Sequence, residues 1–271
     1  IYLSLRLAYD PKADAEEIME DYCEKFYGPN AAAHMKRYWM GVDAATERLQ
    51  SHAGSFFGLQ QVFTPGFLKE CETTLQRAAE AARGDHIYSE RVALHTEGLR
   101  SAVEYRQLCQ EMNRGDFVAA QAILDRMLAR LRGLADKGWA NREYATAYLE
   151  RFLGKNVRAG AAATAAPGQA LQVLPDPWKF ALDEADRGRE AGWHKPQFDD
   201  SKWAVVRTRD ITLDAQGFDK NTVLWYRTRF NVAEQYARLR LFFTEVDGDP
   251  EVHVNEVKVE PAAALLPGTS Q

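Results

Sequence analysis

The sequence predicts two domains of different class in series, an up-and-down helical bundle followed by an antiparallel β-sandwich. Three observations lead there. From Asp10 to Gly154 apolar residues recur at intervals of three and four, which puts them on one face of successive α-helices. After Leu174 the period drops to two, as on half-buried antiparallel strands. Between these regions, residues 155–172 are mostly alanine, glycine and threonine, with too little apolar bulk to offset the entropy of ordering the chain. A length of 271 residues suits two domains, and 46% apolar with 27% charged content is ordinary globular material. The expected division is a helical domain (1–154), a flexible Ala/Gly linker (155–172), a β-sandwich (173–260) and a disordered tail (261–271).

Tyr2 or Leu3, Leu5 and Leu7 alternate with polar positions and predict an extended opening segment whose partners lie outside this sequence. It has no initiator Met, basic leader or small-residue cleavage site, so it is no signal peptide, and the chain is expected to begin inside a longer polypeptide. The first helix follows Asp10-Pro11, with Asp14 as its cap and Ile18, Met19, Tyr22, Cys23, Phe26 and Tyr27 on its apolar face. Gly28-Pro29 ends it, and Asn30 is expected to cap a second helix bearing Met35, Tyr38, Trp39, Val42 and Leu49. The looser stretch from His52 to Phe63, with Phe56 and Phe57, suits either an interface or the domain's own core. Thr64-Pro65 opens a third helix, because Thr accepts an orphan N–H and Pro fits the first helical position. Its stripe is Phe67, Leu68, Cys71, Leu75, Ala78 and Ala82.

A long segment from Ile87 to Met112 stops at Asn113-Arg114-Gly115, and Asp116 caps the next helix, whose apolar residues run from Phe117 to Leu134. Gly138 breaks it. A last helix from Trp139 to Phe152 closes at Gly154, and connections this short favour antiparallel neighbours. Beyond Leu174, four runs alternate with period two: from Ala204, from Val223 to Val232, from Leu239 to Val246 and from Glu251 to Val259. Roughly five or six strands can be counted where a jelly roll uses about eight. The sandwich is therefore expected to be incomplete at its C-terminal end.

Charge and composition exclude several classes. A formal charge of −5 leaves no basic field to track a phosphate backbone, so nucleic acid is not an expected partner. No apolar run approaches the roughly 20 residues of a membrane span. Cys23, Cys71 and Cys109 share positions with apolar residues and read as small core residues, with no Cys-x-x-Cys pair. The six histidines form no His-x-x-x-His pair, and no Gly-x-Ser-x-Gly elbow surrounds Ser55, so neither a metal nor a cofactor is expected.

The β region carries Trp178, Phe180, Asp183, Gly188, Trp193, then Phe198 through Trp203, Trp225 to Arg227 with Phe230, and Val246 to Asn255. Together these resemble the galactose-binding-like β-sandwich, the sugar-binding jelly roll of β-galactosidase and β-glucuronidase type enzymes. One departure is Glu256, where that family has glycine after the Asn; Glu there disfavours a type I′ turn. In the helical region Leu7 to Pro11, Tyr27 to Ala33, Met35, Tyr38 and Phe63-Thr64-Pro65 resemble the C-terminal helices of an uncharacterised bacterial family of α-glucuronidase-like proteins. The resemblance implies an upstream (β/α)8 catalytic barrel on the same polypeptide, and a periplasmic or secreted location.

Glycoside hydrolysis needs two carboxyls about 5 to 10 Å apart, one kept protonated. The adjacent acids Glu16-Glu17, Glu20-Asp21 and Asp199-Asp200 read as solvated or turn-forming, and no catalytic residue is assigned. Sugars instead stack an apolar face on Trp or Tyr and bond their hydroxyls to Asp, Asn and Arg. Trp193, Asp199, Asp200, Trp203, Trp225 and Arg227 supply those types and are the candidate carbohydrate-binding residues. A structural role competes with that reading: Trp225 can fill the core, and Asp199 can make an Asx turn. The expected function is a non-catalytic C-terminal region of a glycoside hydrolase-like protein degrading a plant or algal polysaccharide. The alternatives are a stand-alone carbohydrate-binding module with a helical spacer, or a structural protein-interaction module.

Overall fold

The computed structural model describes residues 1–49, 58–165, 172–232, 240–244, 246 and 248–260. Helices come first and antiparallel strands follow, in the expected order of classes. The chain divides after Arg106 into two compact units, 1–106 and 107–271. The expected boundary at Gly154 thus falls inside the second unit. Residues 50–57, 166–171 and 261–271, and with them Phe56, Phe57, the last part of the expected linker and the expected tail, lie outside the described residues.

The first unit holds α1 (Tyr2–Tyr9), α2 (Ala15–Tyr27), α3 (Pro29–Glu47), the short α4 (Leu59–Val62), α5 (Pro65–Ala81) and the start of α6 (His86–Arg114). The opening segment is helical, not extended. Its alternating leucines are good helix formers, and the i,i+4 pair Arg6 to Tyr2, at 2.8 Å, joins Asp21 of α2, which accepts from Tyr2 at 2.6 Å. Asp14 caps α2 by accepting from the amides of Glu16 and Glu17, as expected. Asn30 does not cap α3: Gly28 stands at the N-cap with φ of +82° and Pro29 is the first helical residue. Thr64 caps α5, accepting from Phe67.

α3 packs against both α2 and α5. Cys23, Tyr27, Met35, Tyr38, Cys71, Leu75, Ala78, Val92 and Leu99 fill the core between the helices. Each large apolar side chain buried there contributes about 1.5–3 kcal/mol. Cys23 and Cys71 are buried as expected, and burial pushes both thiols up to about 11.

In the second unit Asp116 caps α7 (Phe117–Asp136) through the amide of Ala119. Asn141, rather than Trp139, opens α8 (Arg142–Leu149). Gly154 closes nothing. Residues 150–154 form a single π turn, in which the amide of Lys155 bonds the carbonyl of Glu150, and α9 (Lys155–Thr164) continues from it. This overturns the linker reading over residues 155–164. Alanine is the strongest helix former, and Val157 and Ala161 find a partner in α7. At Gly160 the ring of Phe117 occupies the space that a β-carbon would need.

Among the described residues five strands follow: β1 (Trp178–Asp183), β2 (Ala204–Val206), β3 (Val223–Arg227), β4 (Val252–Val254) and β5 (Val257–Val259). They make a three-stranded antiparallel sheet in the order β2-β1-β3 and a separate β4–β5 hairpin. Lys179 pairs with Val205 on one side and Arg227 on the other. Phe180, Val206 and Tyr226 share the opposite face, where Phe180 is buried against Phe218 at 4.8 Å and Tyr226 at 5.1 Å. The expected strand over residues 239–246 is not formed at its described positions, and the run from Val223 stops at Arg227. A complete sandwich is not present among the described residues. The hairpin turns on Asn255 and Glu256 at φ of +49° and +75°, the two positive values of a type I′ turn. Glu256 therefore takes the conformation it was expected to avoid.

Candidate functional site

β3 places Trp225 and Arg227 on one face of the sheet because alternate residues share a face. The chain between β1 and β2 folds back over that face and brings Trp193, Asp199, Asp200 and Trp203 with it. Trp193 is the centre of the aromatic group: its ring lies 5.1 Å from Trp203, 5.8 Å from Trp225 and 6.1 Å from Phe198. Five of the six residues singled out in the sequence, Trp193, Asp200, Trp203, Trp225 and Arg227, thus meet in one place, with Asp199 next to them along the chain.

Arg227 ties the group together. Its Nε donates to Asp200 at 2.8 Å, while its terminal nitrogens donate to the carbonyls of Trp193 and, at 3.1 Å, of Lys195. The guanidinium also lies 5.7 Å from the ring of Phe198 and 5.9 Å from that of Trp203. The Arg227 and Asp200 side chains are 12% and 8% exposed. Arg229 adds a second cation at 3.0 Å from Asp200. Burial by itself would push the Asp200 carboxyl up; the two guanidiniums outweigh it and hold it below the usual carboxylate range.

Asp199 is exposed and accepts from the amide of Ser201 at 3.0 Å, forming the Asx turn that competes with a binding role. That bond draws its carboxyl below the usual range as well. The site also contains residues that the search for sugar-binding types passed over. Asp183, at the end of β1, is buried and accepts from the amides of Arg187 at 2.9 Å and Gly188 at 2.7 Å and from Nε1 of Trp225 at 3.0 Å. These donors overcome the effect of burial and keep Asp183 ionised at neutral pH. Gly188 is required there: a β-carbon would sit 2.5 Å from Nε1 of Trp225 and 2.6 Å from Trp193. Both residues are among the marks that carry the galactose-binding resemblance; the signal was present, but their work is to hold Trp225.

The arrangement presents half-buried indoles backed by two ionised, fully bonded carboxylates. Asp183, Asp199 and Asp200 all lie below the usual range, the opposite of what a proton-donating acid in glycoside cleavage needs. Among the described residues, no group of three or more His, Cys, Asp or Glu side chains is placed to hold a metal, and no helix is long and apolar enough to cross a membrane.

The first unit holds a second polar cluster that the sequence reading missed. Tyr27, fully buried, lies with its hydroxyl 2.7 Å from Nε2 of His95 and accepts from Nε1 of Trp39 at 3.2 Å. Burial holds the imidazole below its ordinary value, so it favours the neutral form. Nothing in the spacing of His95 signals this, because its partners stand 56 and 68 positions away.

A family model described as Domain of unknown function (DUF4838) matches residues 1–40, which span α1, α2 and the first part of α3. That description names no activity. No curated protein and no solved structure matches the chain.

Proposed function

We propose that this chain is a non-catalytic, carbohydrate-binding region of a glycoside hydrolase-like protein, acting in polysaccharide degradation outside the cytoplasm. The observation that carries the reading is the Trp193–Trp203–Trp225 group: half-buried indoles packed on one another, with Trp225 bonded to Asp183 and the backbone of Trp193 to Arg227, near the exposed carboxylate of Asp199. Fixed aromatic faces cost little entropy on binding a sugar ring, and the adjacent acid can take its hydroxyls. The resemblance of the β region to galactose-binding-like domains supports the same ligand class, and the low pKa values of the site's acids support a binding role over cleavage. In this reading the helices support an upstream (β/α)8 barrel of the same polypeptide.

The internal bonding of Arg227 favours a second reading, in which the cluster is the core of a protein-interaction module. A glycan array probed with the whole chain separates the two. Carbohydrate binding that weakens at least tenfold in Asp199→Asn and Trp203→Ala, with unchanged circular dichroism, is the expected result. Absence of binding to any glycan with the fold intact favours the second reading.

A further inference from the structure

The β4–β5 hairpin stands on a narrow footing. β5 is exposed along its whole length, and β4 is half-buried at Val252 and His253. A two-stranded hairpin is marginal by itself in water, so the contacts that seat it decide whether it stays formed. Two come from residues 187–195. The rings of His253 and His194 meet at 5.1 Å, and Arg189 donates to Glu251 at 2.6 Å. The loop itself is fixed, because Arg227 bonds the carbonyls on both sides of His194. The hairpin is the part free to move.

We propose that the His194–His253 contact is an acid-released latch: while His253 is neutral it seats the hairpin on the loop, and protonation of His253 lets the hairpin go. Two imidazoles in contact resist carrying a charge each. Around His253 the described charged groups are His194, Arg189, Lys258 and Glu251. Arg189 and Lys258 oppose a proton. Glu251 favours one, lying 3.5 Å from Nε2, but it already serves Arg189 and, at 2.9 Å, Lys258. Burial, against the pull of Glu251 and with the help of the three cationic or protonatable neighbours, holds His253 below its ordinary 6.5. Lys258 keeps Glu251 below the usual carboxylate range, so the Arg189 ion pair outlasts the latch. The hairpin loosens while staying tethered, and neutralisation reseats it.

Amide hydrogen exchange on the whole chain tests this at about pH 7.5 and about pH 5, on either side of the imidazole range, with rates corrected for intrinsic pH dependence. Hairpin amides from Val252 to Val259 should lose about tenfold or more in protection at the lower pH, while those of Phe180 and Trp225 keep theirs. Equal hairpin protection at the two values overturns the proposal. The double variant His194→Gln, His253→Gln should show no pH dependence in the hairpin; a persisting tenfold loss overturns it too. Independently of the variants, the His253 ring protons of the unaltered chain should titrate below 6.5 together with the loss of hairpin protection. Titration at or above that value removes the latch.

Discussion

Asp200 receives two guanidiniums where water is nearly excluded, and removing it leaves Arg227 buried without its counter-ion. Breaking such a pair from one side costs more than the pair contributes, because the remaining charge stays desolvated. Asp200→Ala should destabilise the second unit by about 3 kcal/mol, measured by urea unfolding followed through tryptophan fluorescence. His95 makes a prediction of opposite polarity in the first unit. Its folded pKa lies below the ordinary 6.5 of an unfolded histidine, so the unfolded state takes up a proton first as pH falls. Stability is whole above that value and declines as pH drops from it toward the folded pKa. His95→Gln should flatten this decline, seen as urea midpoints at pH 7.5 and 5 drawing together. Residue types were legible where the chemistry is local: Asp199 makes the turn that its neighbours imply. The burial of Asp200 and the pairing of Tyr27 with His95 were not, since each depends on residues more than 25 positions distant.

At the next scale, elements whose ends are set by adjacent residues were readable. Asp14, Thr64 and Asp116 cap the helices as expected, because a cap needs a side chain and an amide two or three positions on. α9 was not readable, since its small residues gain a buried face from Phe117 and its neighbours on α7. The strand expected near Leu241 shows the converse, alternation without a described partner to pair with. In the hairpin, Glu256 holds a left-handed conformation that costs an L-residue roughly 1–2 kcal/mol. Glu256→Gly should stabilise the hairpin by about 1 kcal/mol, visible as slower amide exchange between Val252 and Val259.

Across the whole molecule, the two compact units bury separate sets of residues, one including Leu75 and Tyr27, the other including Leu124, Val157 and Phe180. Calorimetry should resolve two transitions. Leu75→Ala, which opens a cavity among helices, should lower one by about 2–5 kcal/mol of stability and leave the other in place, while Asp200→Ala should do the reverse. The order of fold classes was legible from the change of hydrophobic period, but the division at Arg106 was not, because it falls inside an uninterrupted helix. The π turn at residues 150–154 has a bearing on how the chain tolerates altered length. Omitting one amino acid from an α-helix ordinarily swings everything beyond it by about 100° and turns buried faces outward. This stretch already carries one surplus position, so excising Arg151 would restore regular winding with Leu149 and Val157 still in phase. A deletion at Arg126, in the middle of α7, has no such slack and would turn Met127 and Leu128 away from the interior.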